Sequence, residues 1–355
     1  MPTEVLEAAK ASDRWRELLA KVGPAGEDPY FCPEYLRLNS REIHSTAVLF
    51  AFHAGEHSWI HPVILRRIER VGMEIMTGGW QDVASAYGYG GPLSTTDDRD
   101  FLAEAHNAYR RWCREQHVVA GFVRLHPLIQ NQRWIDPQSS TSIDRQTVSL
   151  DLSGFSLDRM PFDAATRNMV RRATRSATLD FSVDDRSINA FRTRYIQEME
   201  EIEAEAQYHF DQRYFSGLFT SLGTSAWLIT ALSGDEWSGS SMFFHGPQWL
   251  HYHLSCSNRP HRAPGIGNLM IAIAAARGAA HGLQRLHLGG GRTTSPTDSL
   301  FVFKQRMSSH VHDFFISRSI YVPDAYQSIR AAWQAQFPEL VDKYGSRVLC
   351  YRYQS

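Results

Sequence analysis

The chain has 355 residues, of which 43% are hydrophobic, 12% aromatic and 21% charged, and its formal net charge is -1. This composition is that of an ordinary globular protein and excludes a disordered, fibrous or membrane-embedded chain. Because the net charge is close to zero, any attraction to nucleic acid or to an anionic membrane must come from a local patch of charge.

The N-terminal 20 residues contain no apolar signal core, and no run of 18 apolar residues occurs anywhere. We therefore expect a cytoplasmic protein without membrane insertion, either a monomer or a homodimer. The four cysteines never form a C-x-x-C pair, and histidine pairs such as His251/His253 lack a third ligand. The sequence thus predicts neither a disulfide scaffold nor a metal site.

The first half of the chain is predicted to begin with two helices, at residues 11–22 and 33–40. Strand-like segments follow at 45–55 and 57–69. Residues 78–93, rich in glycine and tyrosine, are predicted to be irregular. The remaining predicted elements of this half are a helix at 99–117 and strands at 118–129 and 145–152.

The pattern changes near residue 158, which predicts a domain boundary near residue 155. A helix over 160–180 has Phe162, Ala165, Met169 and Ala173 on one face and arginines opposite. The later predicted elements are helices at 188–206 and 212–222, an antiparallel meander at 225–232, 238–246 and 249–257, a loop at 259–267, a helix to about 280, a strand at 285–290, a helix at 299–306, a strand at 310–321 and a closing helix. Each half repeats a strand pair, a glycine-rich loop, a helix and a strand, which indicates an internal duplication.

The loop before the apolar helix contains Arg262, Gly265 and Gly267 in the pattern R-x-x-G-x-G. Successive backbone N–H groups and a helix N-terminus at such a loop favour an anion, for instance a pyrophosphate. A Pro-Gly turn that only begins the helix is the alternative. The helix itself is apolar on nearly all sides, so we expect it to be buried.

The order of these elements, the R-x-x-G-x-G loop and "HYHLSCS" on the preceding strand resemble the GNAT acyltransferase fold. The segments "LHLGGG", "DSLFVFKQRMS", "QDVASAYGYGGP" and "YHFDQRYF" resemble more specifically the FemABX-like branch of tandem-GNAT aminoacyltransferases. The resemblance covers most of residues 30–320. It implies an α/β (α+β) fold of tandem GNAT-like domains, each with a mixed, mostly antiparallel sheet flanked by helices.

The resemblance implies transfer of an aminoacyl group from aminoacyl-tRNA to the amine of a small peptide or amino-acid-like acceptor, in cell-wall or natural-product biosynthesis. Residues 1–155 would form a degenerate, acceptor-side domain, and residues 156–355 the donor-binding, catalytic domain. No tightly bound cofactor is expected, and the co-substrate is charged tRNA or, alternatively, acetyl-CoA or another acyl-CoA. An acyl-CoA-dependent N-acyltransferase is the alternative with the same fold, and a non-catalytic GNAT-like binding protein is the alternative of another class.

The resemblance places a functional lysine at Lys304, whose positive charge would lie near the donor carbonyl, where it would stabilise the oxyanion formed during transfer, or near a terminal phosphate of the donor; the alternative is a solvent-facing helix lysine. Tyr252 is the second catalytic candidate and could protonate the leaving group or donate a hydrogen bond to the acyl carbonyl. The alternative is a core aromatic that shares a strand face with Leu250 and Leu254. Asp298 is predicted to cap a helix. The donor-binding candidates are Arg262, Gly265, Gly267, Asn268, Gly289, Gly290, Gly291 and Ser299.

The acceptor-binding candidates are Asp82, Tyr87 and Tyr89 in the glycine- and tyrosine-rich segment, with Tyr208 and Asp211 as weaker ones. Asp82 could instead make only local hydrogen bonds. No general base is identifiable from the sequence. The tRNA-binding candidates form a basic stripe on one helix, consisting of Arg167, Arg171, Arg172 and Arg175. A solvated helix face is the alternative for this stripe.

Overall fold

The computed structural model describes residues 3–205, 208–258 and 264–354. The strands are β1 (Thr3–Glu7), β2 (Ser45–Ala54), β3 (His57–Arg67), β4 (Arg70–Val71), β5 (Glu74–Ile75), β6 (Gln81–Ala84), β7 (Leu93–Ser94), β8 (Val118–Arg124), β9 (Ser140–Asp151), β10 (Thr178–Asp180), β11 (Ala226–Ser233), β12 (Glu236–His245), β13 (Trp249–Ser257), β14 (Arg285–Gly290) and β15 (His310–Ile320). The helices are α1 (Ser12–Lys21), α2 (Pro33–Asn39), α3 (Arg99–Glu115), α4 (Ala164–Ser176), α5 (Asp185–Glu201), α6 (Gln212–Leu222), α7 (Ile266–Ala280), α8 (Ser299–Gln305), α9 (Pro323–Gln336) and α10 (Val341–Tyr344).

The chain forms two compact units, which we call unit 1 (Met1–Asp144 with Phe314–Ser355) and unit 2 (Arg145–Asp313). The predicted division at residue 155 differs from these limits, chiefly because the C-terminal segment belongs to unit 1. The reason is hydrophobic packing, since Trp333 and Tyr351 of that segment are buried in one cluster with Val71 and Val119. The sequence pattern near residue 155 does not reveal this long-range contact.

The sheet of unit 1 has the order β1-β2-β3-β6-β8-β15. β2, β3 and β6 form an antiparallel series, and helix α3 connects this series to β8, which pairs in parallel with β6. β15 then pairs antiparallel with β8. The N-terminal strand β1, which the sequence analysis does not predict, lies antiparallel to β2 at the edge.

The sheet of unit 2 repeats this arrangement with the order β9-β14-β13-β12-β11-β10. β11, β12 and β13 form the predicted antiparallel meander, and helix α7 connects it to β14, which pairs in parallel with β13. β9 pairs antiparallel with β14. Among the strands named above, each unit therefore has one parallel pair within a mostly antiparallel sheet, and the predicted fold class is confirmed.

Helix α7 lies at the centre of the unit 2 core, as its sequence predicts. It is apolar on nearly all sides, and residues such as Leu269, Ile271 and Ala275 are buried. One side of α7 packs on β11, β12, β13 and β14, and α4 packs on it as well. Helix α5 contacts α6 and β13. A helix held this firmly fixes the position of Gly265 at its N-terminus.

Two local predictions need correction. Residues 81–84 of the supposedly irregular segment form β6, because they pair with both β3 and β8. In α4, Ala165 is exposed, and the buried positions are Thr166, Val170 and Ala173.

Among the described residues, no helix is both long and apolar enough to cross a membrane.

Candidate functional site

Lys304 lies on α8 next to the triple glycine at the end of β14. Its side chain is only 5% exposed, which excludes the alternative of a solvent-facing lysine. Its Nζ atom donates a 2.6 Å hydrogen bond to the carbonyl oxygen of Gly290 and lies 5.9 Å from the centre of the Tyr252 ring. The structure therefore brings together two sequence-predicted catalytic residues and the glycine segment, all within unit 2.

Burial changes the protonation of this lysine. Burial is the largest cause that lowers the pKa of Lys304; the charge of Asp298 opposes the shift, the positive charge of Arg145 adds to it, and the resulting pKa is about 7. The ammonium and the neutral amine are therefore both accessible near neutral pH. A cation next to a reaction centre, inside a low-dielectric environment, is a strong electrostatic element.

Asp298 caps α8 and organises the preceding loop, as predicted for a capping residue. Its carboxylate accepts hydrogen bonds from the backbone N–H groups of Leu300 and Phe301 and, on the other side, from those of Arg292 and Thr293. Burial alone would raise the pKa of Asp298, but these donors lower it to about 2. Asp298 thus stays ionised and fixes the start of the helix that carries Lys304.

The triple glycine allows other groups to approach the backbone closely. Gly289 has a φ of +73° at a β-bulge, where the register between β14 and β9 shifts. A Cβ atom at Gly290 would lie 2.7 Å from the carbonyl oxygen of Gln146, and one at Gly291 would lie 2.5 Å from Asp298 Oδ1. The close approach of Gln146 and Asp298 explains Gly290 and Gly291, and any direct contact of these glycines with a donor stays a prediction.

A gap opens beside this segment because β13 and β14 pair over a short stretch only. Their parallel pairing in the described residues ends at His251 and His287, while β13 continues to Ser257 and β14 to Gly290. The outer sides of both strands are hydrogen-bonded to β12 and β9. The inner backbone edges thus face the gap, where an extended ligand segment could pair with them.

Tyr252 lies on β13 at this gap and is partly buried against the unit 2 core. Burial raises the pKa of its hydroxyl. The predicted common face with Leu250 and Leu254 is wrong beyond Tyr252, because a β-bulge shifts the register so that Leu254 pairs with Met242. Tyr252 is therefore a core-packed aromatic that also lies beside Lys304.

The bulge places His253 against α6, a contact that the sequence analysis missed. Its Nε2 atom lies 2.6 Å from the hydroxyl of Tyr214. Burial lowers the pKa of His253 to about 3, so its ring is neutral at physiological pH. The histidine is 39 residues from its partner, and no local pattern predicts this pair.

The two glycines at the start of α7 have different surroundings. Gly265 is the N-cap with a φ of +87°, and a Cβ atom there would lie 2.5 Å from the carbonyl oxygen of Met169 in α4. Among described atoms, a Cβ at Gly267 would meet only the Phe303 ring, at 3.7 Å. Packing therefore requires Gly265 but does not explain Gly267. Arg262 lies outside the described residues.

Two further donor-binding candidates lie in the first turns of the helices. Asn268 is buried in α7, within one turn of Gly265, and Ser299 is exposed at the first position of α8. Both side chains are thus near predicted site elements, and their role in donor binding stays a prediction.

The acceptor-binding candidates have diverse surroundings. Asp82 is fully buried in unit 1, and its two oxygens accept hydrogen bonds from the Nε atoms of Arg66 and Arg352, each at 2.8 Å. Burial would raise the pKa of Asp82, but the two guanidinium groups lower it. This ion pair already accounts for the burial of Asp82.

The tyrosines of unit 1 are held by local packing. The backbone of Tyr87 bonds to Tyr35 and Asn39, and the ring of Tyr89 contacts Tyr30 at a centroid distance of 5.2 Å. In unit 2, Tyr208 is partly buried, and Asp211 caps α6 through the N–H group of Tyr214. The acceptor role of all five candidates stays a prediction.

The basic stripe lies on α4 as predicted, although its four arginines are not equivalent. Arg171, Arg172 and Arg175 are exposed, whereas Arg167 is partly buried and donates a hydrogen bond to the carbonyl oxygen of Phe162. The exposed part of the stripe therefore consists of three arginines. Their positions fit both phosphate binding and a solvated helix face.

Comparisons with known proteins agree with this geometry. Residues 163–296 match the family model described as an acetyltransferase (GNAT) domain. The structure is similar to the crystal structure of FemX, with a TM-score of 0.68 at 11% sequence identity, over 93% of this chain and 100% of FemX. The chain has a FemX-like GNAT fold. The predicted resemblance to FemABX-like GNAT proteins is thereby confirmed at the level of the fold.

Two other structures are similar to this FemX-like chain. One is a tandem GNAT protein from the clavulanic acid biosynthesis pathway, with a TM-score of 0.51 at 12% identity, over 90% of this chain and 98% of that protein. The other is L-PGS from Bacillus licheniformis, with a TM-score of 0.54 at 11% identity, over 85% of this chain and 90% of that protein. No curated protein sequence matches the chain. The family match indicates an acyltransferase domain that includes Tyr252 and the glycine segments.

Proposed function

We propose that this protein is an aminoacyltransferase that forms an amide bond between an aminoacyl group and an acceptor amine. The observation that carries the proposal is the buried Lys304, bonded to the Gly290 carbonyl beside Tyr252. The FemX-like fold and the acetyltransferase (GNAT) match support the same reaction type.

The reaction needs little beyond positioning and charge stabilisation, because an ester or thioester donor is already activated. The neutral amine attacks the donor carbonyl carbon, and a tetrahedral oxyanion forms. As this intermediate collapses, the bond to the leaving oxygen or sulfur breaks, the amine nitrogen loses a proton and the leaving group gains one. The Lys304 ammonium would stabilise the oxyanion, and Tyr252 would give its hydroxyl proton to the leaving group and take up the proton that the amine nitrogen loses.

Charged tRNA is our first choice of donor. FemX and L-PGS are the structural neighbours that favour an aminoacyl donor, and the exposed arginines of α4 could follow the phosphates of an acceptor stem. In this assignment unit 2 binds the donor and unit 1 contributes to acceptor binding. The acceptor is a small peptide or an amino-acid-like amine.

An acyl-CoA donor is the second candidate, and Gly267 is the observation that favours it. No described protein atom lies close enough to require a glycine there, and its N–H group is in the first turn of α7, where a helix N-terminus attracts anions. The tandem GNAT protein from the clavulanic acid biosynthesis pathway, in its structure without AcCoA, has a similar fold.

Product analysis tests the proposal and distinguishes the two donors. The protein is incubated with a mixture of charged tRNAs, or with acetyl-CoA, and a panel of amino acids and short peptides, and the products are identified by mass spectrometry. An acceptor whose mass rises by one aminoacyl residue, only with intact charged tRNA, supports the first donor. An acyl adduct with acetyl-CoA and none with charged tRNA overturns the tRNA assignment, and no adduct with any donor overturns amide formation by this protein.

A further inference from the structure

Arg145 lies on β9 and holds the backbone that binds Lys304. Its Nη1 atom donates hydrogen bonds to the carbonyl oxygens of Gly291 and Arg292, at 2.9 and 3.0 Å. Its aliphatic stem lies against Gly290, where a Cβ atom would come within 3.1 Å of the arginine Cδ. The carbonyl of Gly290 in turn accepts the hydrogen bond from Lys304.

Charged side chains therefore hold the backbone of residues 290–293 at several points. The carbonyl oxygens of residues 290, 291 and 292 each accept a hydrogen bond from a lysine or an arginine. The following N–H groups, of Arg292 and Thr293, donate to Asp298. Hydrogen bonds with a charged partner are stronger than neutral ones, so these peptide planes have little freedom to rotate.

We propose that Arg145 is a positioning residue for acyl transfer, because it fixes the carbonyls of Gly291 and Arg292 so that the Gly290 carbonyl holds the Lys304 ammonium beside Tyr252. The proposal rests on the function proposed above. Arg145 itself need not touch the donor or the acceptor, since it acts through the backbone segment.

The charges around Lys304 give this role a measurable signature. Burial is the main cause of the lowered pKa of Lys304, Asp298 opposes the shift, and Arg145 adds to it. Tyr252 faces the ammonium with its ring. Removing the positive charge of Arg145 should therefore raise the pKa of Lys304, whereas a lysine at position 145 should leave it nearly unchanged. A role in folding alone would not produce this pattern.

The test compares Arg145→Met, which keeps an aliphatic stem but loses charge and donors, with Arg145→Lys. Arg330→Met is the matched control, because Arg330 also donates to a backbone carbonyl, that of Gly345 in unit 1, at 2.6 Å. We expect Arg145→Met to lower kcat by about tenfold or more with a smaller change in KM for the donor, as for a lost transition-state interaction. Arg145→Lys should recover most of kcat, and Arg330→Met should leave it unchanged.

The pKa of Lys304 is measured separately by carbon-13 NMR of labelled lysine side chains. This is feasible because the chain has only four lysines, Lys10, Lys21, Lys304 and Lys343; Lys304→Met identifies the signal. We expect a higher pKa in Arg145→Met and the wild-type value in Arg145→Lys. An unchanged pKa in folded Arg145→Met, or equal losses of kcat in both Arg145 variants, would overturn the proposal. A wild-type protein that transfers no acyl group refutes the proposed function instead, and the titration still decides whether Arg145 sets the state of Lys304.

Discussion

Replacing the two glycines at the start of α7 by alanine should have opposite effects on stability. Gly265 has a φ of +87°, and its added Cβ would lie 2.5 Å from the Met169 carbonyl oxygen, a contact that real Cβ atoms do not make. The left-handed conformation costs an alanine about 1–2 kcal/mol. Shifting the backbone of α4 to avoid the clash costs about another 1–3 kcal/mol of folding stability. Gly265→Ala should therefore destabilise unit 2 by about 2–5 kcal/mol.

Gly267 has no such constraint, because its added Cβ would make an ordinary 3.7 Å contact with Phe303. Within a helix, alanine is more stable than glycine by about 0.5–1 kcal/mol. For a unit of this size, 1 kcal/mol shifts the melting temperature by about 2–4 °C. Gly265→Ala should thus lower the Tm by on the order of 10 °C, and Gly267→Ala should raise it by about 1–4 °C.

Thermal unfolding followed by circular dichroism or calorimetry measures both variants under identical conditions. Equal melting temperatures for the two would refute the assigned roles, since Gly265 would then not be required by the turn and the approach to Met169. Because Gly267→Ala should remain stable, the same variant also tests ligand binding separately from folding. If an acyl-CoA pyrophosphate approaches this backbone, calorimetry should show weaker acyl-CoA binding without any loss of stability.

Three other variants and the pH dependence of the wild type give defined outcomes. Lys304→Met should leave the melting curve nearly unchanged but lower kcat by about 10²–10³, as for a lost oxyanion donor, in steady-state assays. In the wild type, kcat should fall as the pH rises through the lowered pKa of Lys304, about 7, because the ammonium is the active form; a pH profile without that fall would contradict its role. Changing Arg171, Arg172 and Arg175 to glutamine should make tRNA binding less dependent on salt. The slope of log affinity against log salt concentration, measured by titration at several salt concentrations, should become shallower by about 0.7–0.9 for each lost phosphate contact. Asp82→Ala should destabilise unit 1 by about 3–5 kcal/mol in denaturant unfolding, because two buried guanidinium groups lose their partner.

Much of unit 2 could be predicted from the sequence because its signals are local. The apolar pattern of α7, the alternation in the meander and the capping role of Asp298 all depend on residues close together in the chain. Lys304 was identified through a family resemblance, and the structure adds that it is buried. These features share one property, which is that neighbouring residues determine them.

The missed features depend on partners that are distant in sequence. Arg145 is 146 residues from Gly291, and Asp82 is 270 residues from Arg352. The strand β6 is short and forms because it lies between two longer strands, β3 and β8. The bulge at His253 is stabilised by the distant Tyr214 and reverses the face of Leu254. No periodicity in a single segment contains this information.

The most direct test of amide formation at Lys304 is a single-turnover experiment with the donor and acceptor found by product analysis. Circular dichroism first verifies that the wild-type protein and Lys304→Met are both folded. Each protein is then mixed in excess over a labelled donor together with the acceptor, and mass spectrometry follows the formation of the product over time. We predict that the wild type converts the acceptor to the amide while Lys304→Met forms it at least about a hundredfold more slowly. Equal rates of amide formation in the two proteins would contradict the central role of Lys304.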